Sequence, residues 1–291
     1  MNLKKIIRKF FSTQIYGMPV SPKERLKLTG FLLSSEYNWL LNSPQRHFHA
    51  FCVGLPRSGT HTIGYMFDKY YAAAHEPNNK ETIINIMDWD CRKYTKAKML
   101  NILSFRDKYL KLELESSHYL HHIIDLLIEQ FPHAKFILTV REPMSWLESE
   151  VNQNYKTRNG TMWRSLEQHR YSQYNYEYEF SNLANVKNIY PIRSYLSYWK
   201  DHISTVLCNV PSEQLLVIDT FDLSHEISHI ASFLGVDSET IDINMKHSGK
   251  RDPAFNLYDN VDRNKVSELV QIYCQEFIQE NLPFMKKYLN Q

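Results

Sequence analysis

The chain has 291 residues, 43% hydrophobic and 23% charged, which is enough apolar material for a full globular core and too much for a disordered chain. A formal net charge of +2 is too small to imply bulk attraction to nucleic acid, so any affinity for anions must come from cations placed locally. No apolar run approaches the ~20 residues that cross a bilayer, no cleavable leader opens the chain, and Cys52, Cys91, Cys208 and Cys274 form no metal-ligand cluster; a cytoplasmic protein in a reducing compartment, with no metal, is expected.

At the start, Leu3, Ile6, Ile7, Phe10 and Phe11 share one helical face and Lys4, Lys5, Arg8 and Lys9 the other. Such a helix either docks on the core or makes peripheral membrane contact through residues 3–11. Phe48–Gly54 reads as a strand ending in a Gly-Leu-Pro turn, after which Ile63, Met66, Phe67 and Tyr70 recur at helical spacing. A second strand is predicted over Tyr109–Glu115, followed by a helix through Leu120, Ile123, Ile124, Leu127 and Ile128 that Ser116-Ser117 can cap. A third unit joins Lys135–Val140 to a helix with Pro143 in its first turn. The stretch between Asn152 and Tyr190, rich in Tyr, Asn, Arg and Gln, predicts helices and loops without a strand. Its Tyr171, Tyr174, Tyr176 and Tyr178 could contact an acceptor or pack in the core. A fourth unit joins Leu215–Asp219 to a helix carrying Ile227, Ile230, Ala231 and Leu234 and stopped by Gly235, and a last helix presents Val266, Leu269, Val270, Tyr273, Phe277 and Ile278 to the core. Strands alternating with helices predict a three-layer α/β domain, a mainly parallel central sheet with helices on both faces, whose ligands sit beyond the carboxyl ends of the strands.

Gly54-Leu-Pro-Arg-Ser-Gly-Thr60 has glycines at the spacing of a phosphate-binding loop, where backbone N–H groups and a helix N-terminus meet an anion. The lysine expected after the second glycine is missing; Thr60 and His61 follow instead, and the cation lies inside the loop as Arg57. Later, Arg141-Glu-Pro143 closes a strand, and Ser149 stands eight residues beyond Arg141. An arginine at a strand end can fork onto a phosphate while a serine donates from the next helix.

Over about Phe48–Gly235 these features resemble the sulfotransferase family, whose loop after the first strand reads Pro-Lys/Arg-Ser-Gly-Thr, here Pro56-Arg-Ser-Gly-Thr60. The resemblance implies a P-loop-like α/β fold and 3′-phosphoadenosine 5′-phosphosulfate (PAPS) as sulfuryl donor, with adenosine 3′,5′-bisphosphate (PAP) as product. It implies that Pro56, Arg57, Ser58, Gly59, Thr60 and His61 hold the 5′ phosphosulfate and that Arg141 and Ser149 hold the 3′ phosphate. It further places Thr220 near the adenine and the basic loop with Lys250 and Arg251 near the 3′ phosphate. The expected organisation is one domain over 1–291: a helical extension (1–47), a donor-binding core (48–150), an acceptor-side insertion (151–205) and a C-terminal strand with helices (206–291).

In-line sulfuryl transfer needs charge neutralised on the bridging oxygen, for which Arg57 is the candidate, and a base near the acceptor. Glu76, in Ala74-His-Glu-Pro77, stands where the glycan- and tyrosine-directed branches carry a catalytic glutamate, and His75 could orient it. His118 competes, because Ser116-Ser-His118 aligns with the Lys-Thr-His motif of the cytosolic branch, although both preceding residues are serine here. The acceptor is expected to be a small molecule, glycan or lipid offering a hydroxyl or amine. The rival readings are a nucleotide-dependent kinase on the same loop and a nonenzymatic nucleotide-binding protein.

Overall fold

Five described segments form strands, and the β-branched residues among them fall in Lys135–Val140 and Leu215–Asp219. In the computed structural model, which describes residues 46–242 and 254–289, the strands are β1 (Ala50–Cys52), β2 (Ala73–His75), β3 (Leu114–Ser116), β4 (Lys135–Val140) and β5 (Leu215–Asp219). The segment 3–11 and the Lys250-Arg251 loop lie outside the described residues. All four pairings are parallel and the order is β2-β3-β1-β4-β5. Cys52 is in register with Ser116 on one side and Ile137 on the other, so the loop leaving β1 emerges between two strand ends.

Side chains alternate across the sheet with period two. Ala50, Cys52, Ile137, Leu216 and Ile218 join one buried cluster with Ile63, Met66 and Phe67 of α1 (Thr60–Phe67) and Ile230, Ala231 and Leu234. Phe51 and Phe136 are buried on the opposite face, their rings stacked at 5.7 Å. Each of the large side chains among these, the Ile, Leu, Met and Phe residues, contributes roughly 1.5–3 kcal/mol when removed from water. Helices thus cover both faces, and the three-layer, mainly parallel α/β expectation holds.

Two compact units divide the described residues: Arg46 with Lys80–Lys111, and His47–Asn79 with the chain from Leu112 onward. In the first, α2 (Asn79–Asp90) and α3 (Lys96–Leu110) are tied by Arg106 Nε donating to Thr82 Oγ1 at 3.1 Å, and Arg46 pairs with Asp107 at 2.8 Å. In the second, the sheet is followed by α4 (Ile124–Gln130), α5 (Pro143–Lys156), α6 (Met162–Tyr171), α7 (Ile192–Asn209), α8 (Ile227–Leu234) and α9 (Arg263–Asn281). α5 starts at Pro143 with both Glu142 carboxylate oxygens accepting from Met144 and Ser145 N–H, and α8 stops at Gly235 with φ 78°. The α9 face buries Val266, Val270, Cys274 and Ile278; Leu269, Tyr273 and Phe277 are only half-buried.

Two expectations fail. Tyr109 and Leu110 end α3 rather than open a strand; the helix closes at Lys111, φ 52°, and pairing begins only at Leu114. Ser116 and Ser117 do not cap a helix with their side chains: Ser116 Oγ donates to the Thr60 carbonyl and Ser117 Oγ to Glu115. The cysteines are all free thiols, and no described helix is long and apolar enough to cross a membrane.

Candidate active site

The loop after β1 is shaped by steric limits. A Cβ on Gly54 would sit 1.9 Å from Thr139 Oγ1 and under 3 Å from the Thr139 backbone, so only glycine lets β1 and β4 close here. Gly59 adopts φ 92°, and α1 begins immediately after it. Ser58 is fully buried, its hydroxyl spent on the Leu55 carbonyl at 2.7 Å and Thr139 Oγ1 at 2.9 Å. It holds the loop in shape and does not line the cavity. Two indole N–H groups fix the loop's surroundings: Trp146 donates to the Pro56 carbonyl at 2.8 Å and Trp199 to the Arg141 carbonyl at 3.0 Å.

Arg57, also at positive φ (62°), turns its guanidinium to Ser149 Oγ at 3.1 Å. Arg141 donates to Ser145 Oγ at 2.9 Å and to the Arg57 carbonyl at 3.5 Å. Two guanidiniums therefore meet at one rim, and the Ser149 hydroxyl accepts from Arg57. Thr220 Oγ1 is in reach of the Ser58 carbonyl at 2.7 Å and the Val140 carbonyl at 3.0 Å, joining the ends of β4 and β5 to the loop. The next residue, Phe221, is 52% exposed, and the Arg141 guanidinium lies 5.5 Å from its ring.

Glu76 follows β2 in a left-handed turn (φ 50°) pinned by its N–H to the Ser116 carbonyl at 3.0 Å. Its carboxylate lies 3.1 Å from His118 Nε2 and 3.6 Å from His75 Nε2. Burial raises its pKa, opposed by His75 and Arg170. Burial, with help from Arg170, holds His118 well below its ordinary value, so the imidazole is neutral. Arg170, itself buried, sits with Nη2 2.6 Å from His118 Nδ1. Guanidinium can only donate, so Nδ1 is the acceptor and the single imidazole proton resides on Nε2, facing Glu76. The Glu76–His118 contact is thus a neutral donor serving a carboxylate.

A cavity of about 1130 Å³ unites these groups. Pro56, Arg57, Gly59, Thr60, His61, Arg141, Thr220 and Phe221 line one part, and Glu76 and His118 lie among its walls. Each of the five strands sends at least one residue to it from its carboxyl end. Ser58 and Ser149 are not in its walls. Sequence reasoning missed Arg170, Trp163, Glu150, Glu167 and Phe221. Arg170 stands 52 residues from His118, and only the exposed aromatic beside Thr220 had a local signal.

A profile described as a sulfotransferase domain matches residues 49–242. The chain belongs to the sulfotransferase domain family. No curated protein matches the chain. Among solved structures, a sulfotransferase from Mycobacterium avium is 13% identical over 88% of this chain and 81% of that one, with a TM-score of 0.49. One from Alicyclobacillus acidocaldarius is 14% identical over 85% and 97%, with a TM-score of 0.45. A sulfotransferase domain from the Synechococcus PCC 7002 olefin synthase is 18% identical over 67% and 77%, with a TM-score of 0.37.

Proposed function

We propose that this sulfotransferase-family chain moves a sulfuryl group from PAPS to an acceptor hydroxyl, with Glu76 as general base. The observation that carries the reading is the single cavity in which a guanidinium-lined rim meets the Glu76–His118–Arg170 chain of hydrogen bonds. The donor, when bound, supplies an activated sulfuryl group on a phosphate leaving group. The loop Pro56–Thr60 and the start of α1 offer N–H groups and a positive field to the 5′ phosphosulfate. Arg57 neutralises charge as the bond between sulfur and the bridging oxygen breaks, and Arg141 binds the 3′ phosphate. Phe221 offers an aromatic face to the adenine beside Thr220. Glu76 takes the acceptor's hydroxyl proton as the new oxygen–sulfur bond forms, and PAP departs with the electron pair of the broken bond.

Of the two candidate bases, the hydrogen-bond pattern favours Glu76. His118 Nδ1 is engaged by Arg170 and Nε2 already bears the proton, leaving His118 no free lone pair; it acts as a positioning residue. Calorimetry with PAP tests the donor half. Arg141→Ala should weaken PAP by at least about tenfold, since hydrogen bonds to charged groups contribute about 1.5–3 kcal/mol. Unchanged affinity would sink the assignment. Turnover with PAPS without magnesium, and none with ATP, separates this reading from a kinase.

A further inference from the structure

Beyond Glu76, the cavity wall is built by α5, α6 and the turn between them, and it carries Gln153, Thr157, Arg158, Thr161, Trp163 and Glu167. Five of these six end in hydrogen-bonding groups, none is aliphatic, and the sixth offers an indole plane. Thr157, Thr161 and Glu167 already bond neighbouring groups, but an alkyl chain, sterol or simple phenol placed there would strip water from the Gln153 amide and the Arg158 guanidinium and return few bonds, at about 1–3 kcal/mol for each group left unpaired. A saturated ring bearing several hydroxyls suits the wall: its edges donate and accept, and its C–H face lies on an aromatic plane.

Two further atoms specify the polarity. Glu150 and Arg170 line the same cavity, and among the described residues Glu150 Oε2 and Arg170 Nε are buried without a hydrogen-bond partner. A hydroxyl answers either kind of orphan, whereas an ammonium answers only the carboxylate and an anion only the guanidinium.

Resting on the reading of this site as a sulfuryl-transfer centre, we infer that the acceptor is an uncharged polyhydroxylated ring, a neutral glycoside, seated on Trp163 between α5 and α6 with one hydroxyl at Glu76. The intact protein is incubated with labelled PAPS and, in parallel, methyl hexosides, a methyl hexuronide, 4-nitrophenol and 1-octanol. Products are read by mass spectrometry. Saturation-transfer NMR reports glycoside contact independently of turnover, and calorimetry reports PAP binding. Sulfated neutral hexosides, with the phenol, alkanol and uronide at least about tenfold slower, are expected. Trp163→Ala should raise KM for the hexoside about tenfold, the value of one lost aromatic contact, with PAP affinity unchanged, and Trp163→Phe should restore most of it. Preference for the phenol, alkanol or uronide, or a protein that binds PAP yet neither contacts nor sulfates any hexoside, overturns the inference. Loss of PAP binding in the unmodified protein would instead strike the donor reading, while the NMR contact still decides the acceptor class.

Discussion

Arg170 sets the tautomer of His118 in the catalytic wall. By donating to His118 Nδ1 at 2.6 Å it fixes the tautomer that turns an N–H toward Glu76, and it adds to the burial that keeps the imidazole neutral. Glu76→Gln should therefore lower kcat by about 10²–10⁴-fold, the range of a lost general base, with PAP affinity retained. The pH profile follows from the sign of the shift. Burial raises Glu76 above its ordinary 4.5, and the base works only when ionised, so kcat/KM rises with pH through that elevated value. His118→Ala removes a donor that favours the ionised carboxylate, so the same limb should move to still higher pH, with a smaller loss of kcat than in Glu76→Gln. If His118 were the base, its removal would abolish the limb instead of displacing it. Steady-state rates across pH for both variants decide.

At the level of elements, legibility followed how local the cause was. Lys135–Val140 and Leu215–Asp219 could be read from sequence because a parallel strand buried on both faces needs an uninterrupted apolar run, and the Gly235 stop because only a left-handed cap follows from that glycine. Tyr109–Glu115 misled because its alternating leucines also suit the last turn of a helix, and closure at Lys111 rests on a non-glycine residue in the left-handed region. Ser116 and Ser117 look like caps in sequence, but tertiary neighbours took their hydroxyls. The loop Gly54–Thr60, Arg141 and Glu76 were legible as motifs; the Arg170 contact depends on α6 folding back over His118, which no local pattern encodes. Gly54 was legible as a loop residue, and the structure adds why it cannot change. Gly54→Ala would force Cβ into Thr139 side chain and backbone, so the β1–β4 pairing must spread. A loss of about 1–3 kcal/mol is expected, the usual cost of overpacking. Urea unfolding measures it, and an unchanged midpoint would mean the strands have room the geometry denies.

Across the larger unit, buried titratable groups set two opposing trends. His118, His121 and His202 are buried and His122 half-buried; all four are shifted downward chiefly by desolvation, His202 to about 3, and the His121 and His202 rings stack at 3.6 Å. Below 6.5 the unfolded chain protonates these histidines and the folded one does not, so each removes about 1.4 kcal/mol of stability per pH unit on acidification. Glu76, Glu150 and Glu167 are shifted upward by burial, Glu167 to about 7, so between 4.5 and their raised values the folded state holds the extra protons and gains stability on acidification. Between pH 6.5 and 4.5 four histidines act against at most three carboxyls, so the offset is partial and a shallow loss remains. Below 4.5 the carboxyls are protonated in both states, the offset ends, and only the histidine slope remains. Glu113, held below its ordinary value by bonds from His47 and Ala72, adds to the loss in that range. Thermal stability should decline gently from pH 6.5 to 5 and fall steeply below 4.5. Glu167→Gln deletes one offsetting group, so in that variant the decline between pH 6.5 and 4.5 should be steeper than in the parent. A variant with the same pH profile as the parent would show that Glu167 titrates alike in the folded and unfolded chain.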